Sequence, residues 1–286
     1  MLLYSRSLFQ QPRPRILVVT RGDFITRTAL LDLFRARERY DLRVIIVTGD
    51  HRARTGMPRL CALWRDGEPH CCAYELAQSG VFSAVANVRR RSGLTVKSLA
   101  RRCGVRALKT ADVNSDVAFA FARAFAPDLL LSVKCPQRIG PRLRELPRCG
   151  AINVHASLLP RYAGRAPHVW AMAAGEAIAG STAHRMDERF DGGAILAQGC
   201  VPIDPGVSAF ELLRKLARAG GAASLEAIEL ALNGSAGAAQ DSRARSYHSQ
   251  PTRDTYARFK ARGFRLVRKR ELISAVRFGE REVRTL

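Results

Sequence analysis

Three side chains in the second half of the chain have the types needed for chemistry at a carbonyl carbon. Asn153 and His155 lie two positions apart, and Asp191 stands before two glycines further along the chain. An Asn amide and a protonated imidazole can both donate hydrogen bonds to an oxyanion. A carboxylate can accept a proton and support the charged imidazole. Together the three suit attack of a nucleophile on a carbonyl carbon, and this chemistry requires neither a metal ion nor a covalent nucleophile.

The local sequence predicts how Asn153 and His155 are presented. Residues 151–154 are mostly apolar and typical of a strand, and side chains two apart on a strand share one face. Open α/β sheets place their ligand crevice at the carboxyl ends of the strands. Because turn-forming residues follow at 158–164, we expect this loop to line the crevice as well.

Further motifs continue the pattern around these residues. In chain order they read Asn153, His155, Ser157-Leu-Leu-Pro160, Thr182-Ala-His184 and Asp191-Gly-Gly-Ala-Ile195. In this order they resemble the folate-dependent formyltransferase family, whose members move a formyl group from 10-formyltetrahydrofolate to an amine. The resemblance runs from residue 15 to residue 232 and is strongest over 129–216.

The resemblance implies roles for individual residues. Asn153 and His155 would stabilise a tetrahedral intermediate, and Asp191 would assist proton transfer. The family holds the pterin of its folate against backbone in two stretches, which contain here Val133, Lys134, Cys135, Gln137 and Ile139, and then Met186, Asp187 and Phe190. The acceptor is expected beside Ser157, Arg161, Tyr162 and His184.

Some of these residues also have a plain structural interpretation. His184 could pack on its own strand, and the turn at 161–165, although well placed for an anionic acceptor, could be a solvated loop. Cys135 is expected to pack, because no His lies nearby in the sequence to activate its thiol.

The alternation of apolar patterns predicts an α/β protein with a doubly wound, mostly parallel sheet, followed by a short C-terminal extension. The resemblance implies that this sheet has the formyltransferase fold. Strands are predicted over residues 15–20, 42–48, 105–109, 129–133, 150–155, 182–186 and 194–203. Helices are predicted over residues 26–39, 74–88, 96–103, 115–125, 141–146, 167–174 and 207–232, with Asn114 or Ser115 as one cap. Residues 51–70 are predicted to be irregular.

The same patterns divide the chain into three parts. We expect an N-terminal extension over 1–14, a catalytic domain over 15–233, and a linker with a small basic extension over 234–286. The small residues of 233–239 favour a linker, a short apolar run follows at 264–267, and a last helix is predicted around 271–278. About fifty residues are few for the C-terminal barrel that relatives acting on initiator tRNA carry, so a wrapping extension or helical appendage is expected.

Composition narrows the function classes. No apolar run approaches the roughly 20 residues that span a membrane, and the first ten residues do not resemble a secretory signal. The seven cysteines are scattered without a Cys-x-x-Cys, which favours reduced thiols and a cytoplasmic protein. The first strand leads only into Arg21-Gly-Asp23, so no dinucleotide-binding glycine motif is present.

The formal net charge of +22 bears on whether the chain binds a nucleic acid or a small molecule. Only six of the 47 basic residues are Lys, and the Arg residues are dispersed without interleaved aromatics. We therefore expect a small amine as acceptor, with phosphorylated or nucleotide-linked amines included. The alternatives are a methionyl-tRNA formyltransferase, a non-catalytic basic RNA-binding protein on the same fold, and a hydrolase that releases formate.

Overall fold

The computed structural model describes residues 12–49 and 93–282. The irregular segment predicted over 51–70 and the helix predicted over 74–88 lie outside the described residues, as do Cys61, Cys71 and Cys72. The four cysteines at positions 103, 135, 149 and 200 are free thiols.

Within the part of the chain that the structure describes, the central sheet has seven strands in the order β3-β2-β1-β4-β5-β7-β8. Its members are β1 (Arg15–Thr20), β2 (Asp41–Val47), β3 (Arg106–Thr110), β4 (Leu129–Val133), β5 (Ala151–His155), β7 (Ile178–Arg185) and β8 (Ile195–Pro202). The pairs from β3 to β5 are parallel, whereas β7 pairs antiparallel with both β5 and β8. This mostly parallel sheet confirms the predicted fold class. Two further short strands, β6 (Ala163–Gly164) and β9 (Tyr247–His248), pair with each other in a second sheet.

Helices cover both faces of the central sheet. They are α1 (Phe24–Arg35), α2 (Val96–Arg102), α3 (Asp116–Arg123), α4 (Pro141–Arg144), α5 (Pro167–Ala174), α6 (Ala209–Leu232), α7 (Arg253–Ala261) and α8 (Lys269–Glu282). Along β1, Ile16 and Val18 belong to one hydrophobic cluster, and Leu17 and Val19 to another. This alternation buries both faces of the strand, as the continuous apolar run of β1 requires.

Side-chain caps set several helix boundaries. The helix predicted over 26–39 begins at Phe24 because the Asp23 carboxylate accepts from the Thr26 amide at 2.8 Å. Ser115, one of the two predicted caps, accepts from the Ala118 amide. The strand predicted over 182–186 is longer, because β7 is hydrogen-bonded along both edges.

The C-terminal segment lies against the rest of the chain at several places. Ala238, within the predicted linker, exchanges two backbone hydrogen bonds of 2.8 Å with Ile195. The Arg262 side chain donates to the Ala173 carbonyl at the end of α5. Residues 264–267 were predicted as a short apolar run. Within this run, Arg265 forms an isolated β-bridge with Ser208. The segment therefore wraps the sheet domain.

Among the described residues, no helix combines the length and the apolar character needed to cross a membrane.

Candidate active site

A cavity of about 550 Å³ opens at the carboxyl ends of β1, β4 and β5. The chain crosses from β3 back to β4 on the other side of β1, so the cavity lies at the topological switch point where α/β folds bind ligands. The lining includes the eight residues predicted for the folate, Val133, Lys134, Cys135, Gln137, Ile139, Met186, Asp187 and Phe190, and four predicted polar residues, Asn153, His155, His184 and Asp191.

Asn153 and His184 face each other across the antiparallel pair of β5 and β7. The Asn153 amide nitrogen lies 3.2 Å from His184 Nε2, and His184 Nδ1 lies 2.8 Å from the Arg185 carbonyl oxygen. Because a carbonyl only accepts, Nδ1 carries a proton there, and Nε2 lies between the Asn153 amide and the Asp191 carboxylate.

Asp191 lies at the centre of the polar cluster. Its Oδ1 is 3.4 Å from the Asn153 amide nitrogen, 3.5 Å from His155 Nδ1 and 3.7 Å from His184 Nε2. Its Oδ2 accepts from the Gly164 amide at 2.9 Å. The three contacts of Oδ1 are longer than a usual hydrogen bond, so this oxygen retains the capacity to accept a further hydrogen bond.

The surroundings of Asp191 keep its carboxyl group ionised. Burial raises the pKa of this carboxyl, but the charges of His155 and His184, a hydrogen bond from His184 and the Gly164 amide lower it more. The net pKa lies far below the ordinary value for Asp. Asp191 is therefore a carboxylate at neutral pH.

His155 is held through both ring nitrogens. Its Nε2 lies 3.0 Å from the Tyr162 carbonyl oxygen, and its Nδ1 faces the Asp191 carboxylate. Both partners are acceptors, so the doubly protonated imidazole can donate to each of them. This arrangement suits a charged, donating His next to the cavity.

Comparisons with known proteins show the family of this chain. A family model described as formyl transferase matches residues 83–228, about half of the 286 residues. The chain belongs to the formyl transferase family. A methionyl-tRNA formyltransferase of Synechococcus sp. (strain JA-3-3Ab) is 44% identical over 105 residues, which cover 37% of this chain and 33% of that protein. The chain spans about a third to a half of the length of the curated relatives it matches.

Solved structures of formyl transferases share the fold. Glycinamide ribonucleotide transformylase 1 from Symbiobacterium toebii matches with a TM-score of 0.54 and 24% identity, covering 79% of this chain and 91% of that one. The N-formyltransferase from Helicobacter canadensis, solved in complex with folinic acid and dTDP-3-aminofucose, matches with a TM-score of 0.53 and 16% identity, covering 83% and 71%.

In this member of the formyl transferase family, the Ser-Leu-Leu-Pro segment is fixed by hydroxyl groups. Ser157 Oγ donates to the Arg161 carbonyl at 2.9 Å and does not line the cavity. Thr182 Oγ1 donates to the Ser157 carbonyl and accepts from the Leu159 amide. Ser157, expected beside the acceptor, therefore stabilises the loop that follows β5.

Arg161 and Tyr162, also expected beside the acceptor, line a neighbouring cavity of about 300 Å³. Both side chains donate hydrogen bonds to the Glu176 carboxylate. Burial and this hydrogen bond raise the pKa of Tyr162 to about 12. At the main cavity Tyr162 contributes its backbone carbonyl, the acceptor for His155.

The two stretches expected to hold the folate face each other across the cavity. Arg138 connects them, because its guanidinium donates to the Glu188 carbonyl at 2.7 Å and lies 5.3 Å from the Phe190 ring centre. The side chain of Gln137 is engaged with loop backbone at Gly49 and Ala111. The Gln137 side-chain amide is therefore already engaged within the protein.

Lys134 and Cys135 have distinct environments within the first stretch. The Lys134 ammonium lies 2.9 Å from the Asp23 carboxylate, beside the start of α1. Burial raises the pKa of the Cys135 thiol to about 11, so it is neutral at physiological pH. A neutral buried thiol is suited to packing.

Several cavity residues were not predicted from the sequence. Arg21 and His168 come from a loop and a helix start near the strand ends, whereas Tyr247, Gln250 and Tyr256 come from the C-terminal segment. Arg165, which also lines the cavity, belongs to the turn at 161–165 that was expected to be well placed for an anionic acceptor. The position of Arg21 directly after β1 could have indicated it. No local signal marks Tyr247, because its place depends on pairing with Ala163, far away in the sequence.

Proposed function

We propose that this chain transfers a formyl group from 10-formyltetrahydrofolate to the amine of a small-molecule acceptor. The observation that carries the proposal is the position of Asp191. Its carboxylate meets Asn153, His155 and His184 at the wall of a cavity lined by both expected folate-binding stretches. Family membership supplies the reaction class.

The cavity fits a pterin-containing formyl donor. Its volume of about 550 Å³ lies within the range of small-molecule sites. Val133 and Ile139 offer apolar surface, and the loop backbone beyond β4 offers donors and acceptors for the edge of a pterin. The relative from Helicobacter canadensis was solved with folinic acid, which supports a folate as the donor.

Asn153 and His155 are proposed to stabilise the charge on the formyl oxygen. The Asn153 amide lines the cavity, and its donors point toward Asp191 and His184 at 3.4 and 3.2 Å. His155 Nε2 donates to the Tyr162 carbonyl and can share that proton with an oxygen in the cavity. One such donor typically contributes about 3 to 4 kcal/mol to lowering the barrier.

Asp191 is proposed to accept the proton of the attacking amine, directly or through water. Its Oδ1 faces only long contacts from Asn153, His155 and His184. The proton then passes to the departing folate nitrogen, and the carboxylate meanwhile supports the charged imidazole. No covalent intermediate with the protein is required.

A small acceptor agrees best with the site. Arg21, Lys134 and Arg165 line the cavity, and such cations can bind a phosphate or another anionic group of the acceptor. The structural relatives are named for sugar and glycinamide ribonucleotide substrates. We place the reaction in the cytoplasm, which the free thiols of the described cysteines support.

Methionyl-tRNA is the second candidate acceptor, because the curated relatives are methionyl-tRNA formyltransferases. A tRNA would be contacted through many phosphates. Its affinity would then fall on the order of a thousandfold between about 50 and 200 mM salt, for six to ten contacts. A small acceptor neutralises one or two phosphates and gives a shallow dependence.

The test combines donor binding with acceptor turnover. A non-reactive folate such as 5-formyltetrahydrofolate should raise the melting temperature, because a ligand selective for the folded state stabilises it, and NAD should not. Release of tetrahydrofolate is then followed with aminosugar nucleotides, glycinamide ribonucleotide and charged initiator tRNA at low and moderate salt. Binding of NAD without binding of folate would overturn the proposal, and turnover of tRNA with a steep salt slope would favour the second candidate.

A further inference from the structure

Two backbone positions that orient the catalytic side chains have unusual conformations. Tyr162, whose carbonyl accepts from His155, has φ of 57°, and Asp191 has φ of 51°. Residues other than glycine seldom adopt this left-handed region, and they keep it only where surrounding contacts fix them. The contacts that fix these two positions therefore bear on the geometry of the proposed reaction.

A segment of the C-terminal extension supplies such contacts to the loop that contains Tyr162. We call residues 235–248 the strap. Ser246 Oγ accepts from the Tyr162 amide at 2.8 Å, and the Ser246 carbonyl accepts from the Ala163 amide at 2.9 Å. Two residues further, the His248 carbonyl accepts from the Arg165 amide. The strap thus fixes the loop on both sides of Gly164, whose amide donates to Asp191.

Gly164 shows how closely the strap approaches this loop. It has φ of 102°, and a Cβ at this position would lie 2.2 Å from the His248 carbonyl oxygen. Only glycine permits both the conformation and the approach. The amide that binds the Asp191 carboxylate is therefore positioned by direct contact with the strap.

The strap also holds the loop that contains Asp191. The Gln240 side-chain amide donates to the Asp191 carbonyl at 3.0 Å and to the Gly193 carbonyl at 2.7 Å. Arg245 donates to the Phe190 carbonyl at 2.8 Å. Gln240 Oε1 is buried and has no hydrogen-bond partner among the described residues, so its amide orientation is set by the two carbonyls.

We propose that Gln240 and Ser246 are positioning residues, which set the relative placement of Asp191 and His155. The inference rests on the proposed function. Gln240 fixes the backbone of Asp191, and Ser246 fixes the backbone whose Tyr162 carbonyl and Gly164 amide bind His155 and Asp191. Neither Gln240 nor Ser246 lines the main cavity. These two residues are therefore expected to act on turnover and not on binding of the donor.

The test uses the full chain with Q240E, S246A and the control R243A. Glu is isosteric with Gln but, when ionised, cannot donate to the two carbonyls, and Ala removes the acceptor for the Tyr162 amide. Arg243 lies on the same strap with its side chain 91% exposed and pairs with Asp241. Measured are kcat with an identified acceptor, the affinity for 5-formyltetrahydrofolate, the melting temperature and the pH profile of kcat.

We expect Q240E and S246A to lower kcat on the order of 10- to 100-fold, as for a small misplacement of reacting groups. The affinity for the folate should stay the same, and R243A should match the wild type. Asp191 is faced by Asn153, His155, His184 and the Gly164 amide. When two of these groups shift, they stabilise the Asp191 carboxylate less well. The acidic limb of the pH profile of kcat should then move to higher pH.

Unchanged kcat in both variants would overturn the proposal, as would a parallel loss of kcat, folate affinity and melting temperature, which indicates a purely structural role. If the wild type transfers no formyl group, the proposed function fails. The imidazole NMR resonances then test separately whether the strap positions His155. Resonances of His155 that move in S246A but not in R243A support positioning. Resonances that stay in place in S246A overturn it.

Discussion

Arg27 in α1 and Glu282 in α8 form an ion pair of 2.7 Å in which the Arg27 side chain is fully buried. The same guanidinium donates to the carbonyls of Gly93 and Gly279, each at 2.9 Å. A buried cation is tolerated only when charge and hydrogen bonds compensate its lost hydration. Arg27 therefore joins the first and last helices, and the C-terminal segment is part of the core.

Replacing Arg27 with Met should lower the free energy of unfolding by about 3 to 5 kcal/mol, because the Gly93 and Gly279 carbonyls lose this donor and Glu282 loses one of its arginine partners, keeping Arg218. Urea unfolding followed by circular dichroism measures the change. R35M on the same helix is the control, since Arg35 pairs with Asp32 at the surface. Equal stability of R27M and R35M would contradict the structural role of Arg27.

Truncation after Leu232 should mainly destabilise the fold, which would be seen as loss of cooperative unfolding. It should not remove RNA binding selectively. It deletes Glu282 and Gly279, which bind Arg27, and α7, whose Tyr256 and Phe259 are buried. Thermal unfolding and RNA titration of the truncated chain test this. A stably folded fragment that has lost only RNA affinity would contradict the prediction and favour the tRNA acceptor.

The alternation of strands and helices was predictable from sequence, because apolar runs such as those of β1 and β4 are buried on both faces. The association of Asn153 with His184 was not. It depends on the antiparallel register of β7 against β5, which is a long-range pairing. Sequence motifs placed both residues near the site without showing that their side chains are in contact.

The acceptor residues and the C-terminal segment show a second limit of sequence reasoning. Arg161 was predicted to lie beside the acceptor, and sequence alone did not show that its side chain binds Glu176 and lines the neighbouring cavity. The small residues of 233–239 predicted a linker, whereas Ala238 is paired with Ile195. Flexible composition permits close packing as well as mobility, and only the tertiary contacts distinguish the two.

Replacing Cys135 with Ala should leave turnover nearly unchanged. Burial raises the pKa of its thiol to about 11, so little nucleophilic thiolate exists near neutral pH. Steady-state kinetics of C135A and the rate of alkylation by iodoacetamide across pH 7 to 9 check this. Loss of turnover with unchanged folate affinity would show that the thiol takes part in the reaction.

Asp191 should make stability depend on pH in a defined direction. Burial raises its pKa, but His155, His184 and the Gly164 amide lower it more, so the folded pKa lies below the unfolded value of about 3.9. The stabilisation is present above pH 4 or so and is lost as pH falls toward the folded pKa. The free energy of unfolding of the wild type should exceed that of D191N. Urea unfolding at pH 5, 4 and 3 should show this difference shrinking as the pH falls. An advantage that grows toward acid pH would contradict the lowered pKa.

The most direct measurement is the turnover of N153A, H155A and D191A with 10-formyltetrahydrofolate and an identified acceptor. Each variant should lower kcat by about 100-fold or more, because each removes a donor or acceptor at the reacting atoms. Circular dichroism should show the same fold, since the three side chains lie at a cavity wall. Near-native kcat in all three variants would contradict the assignment of the reaction to this cluster.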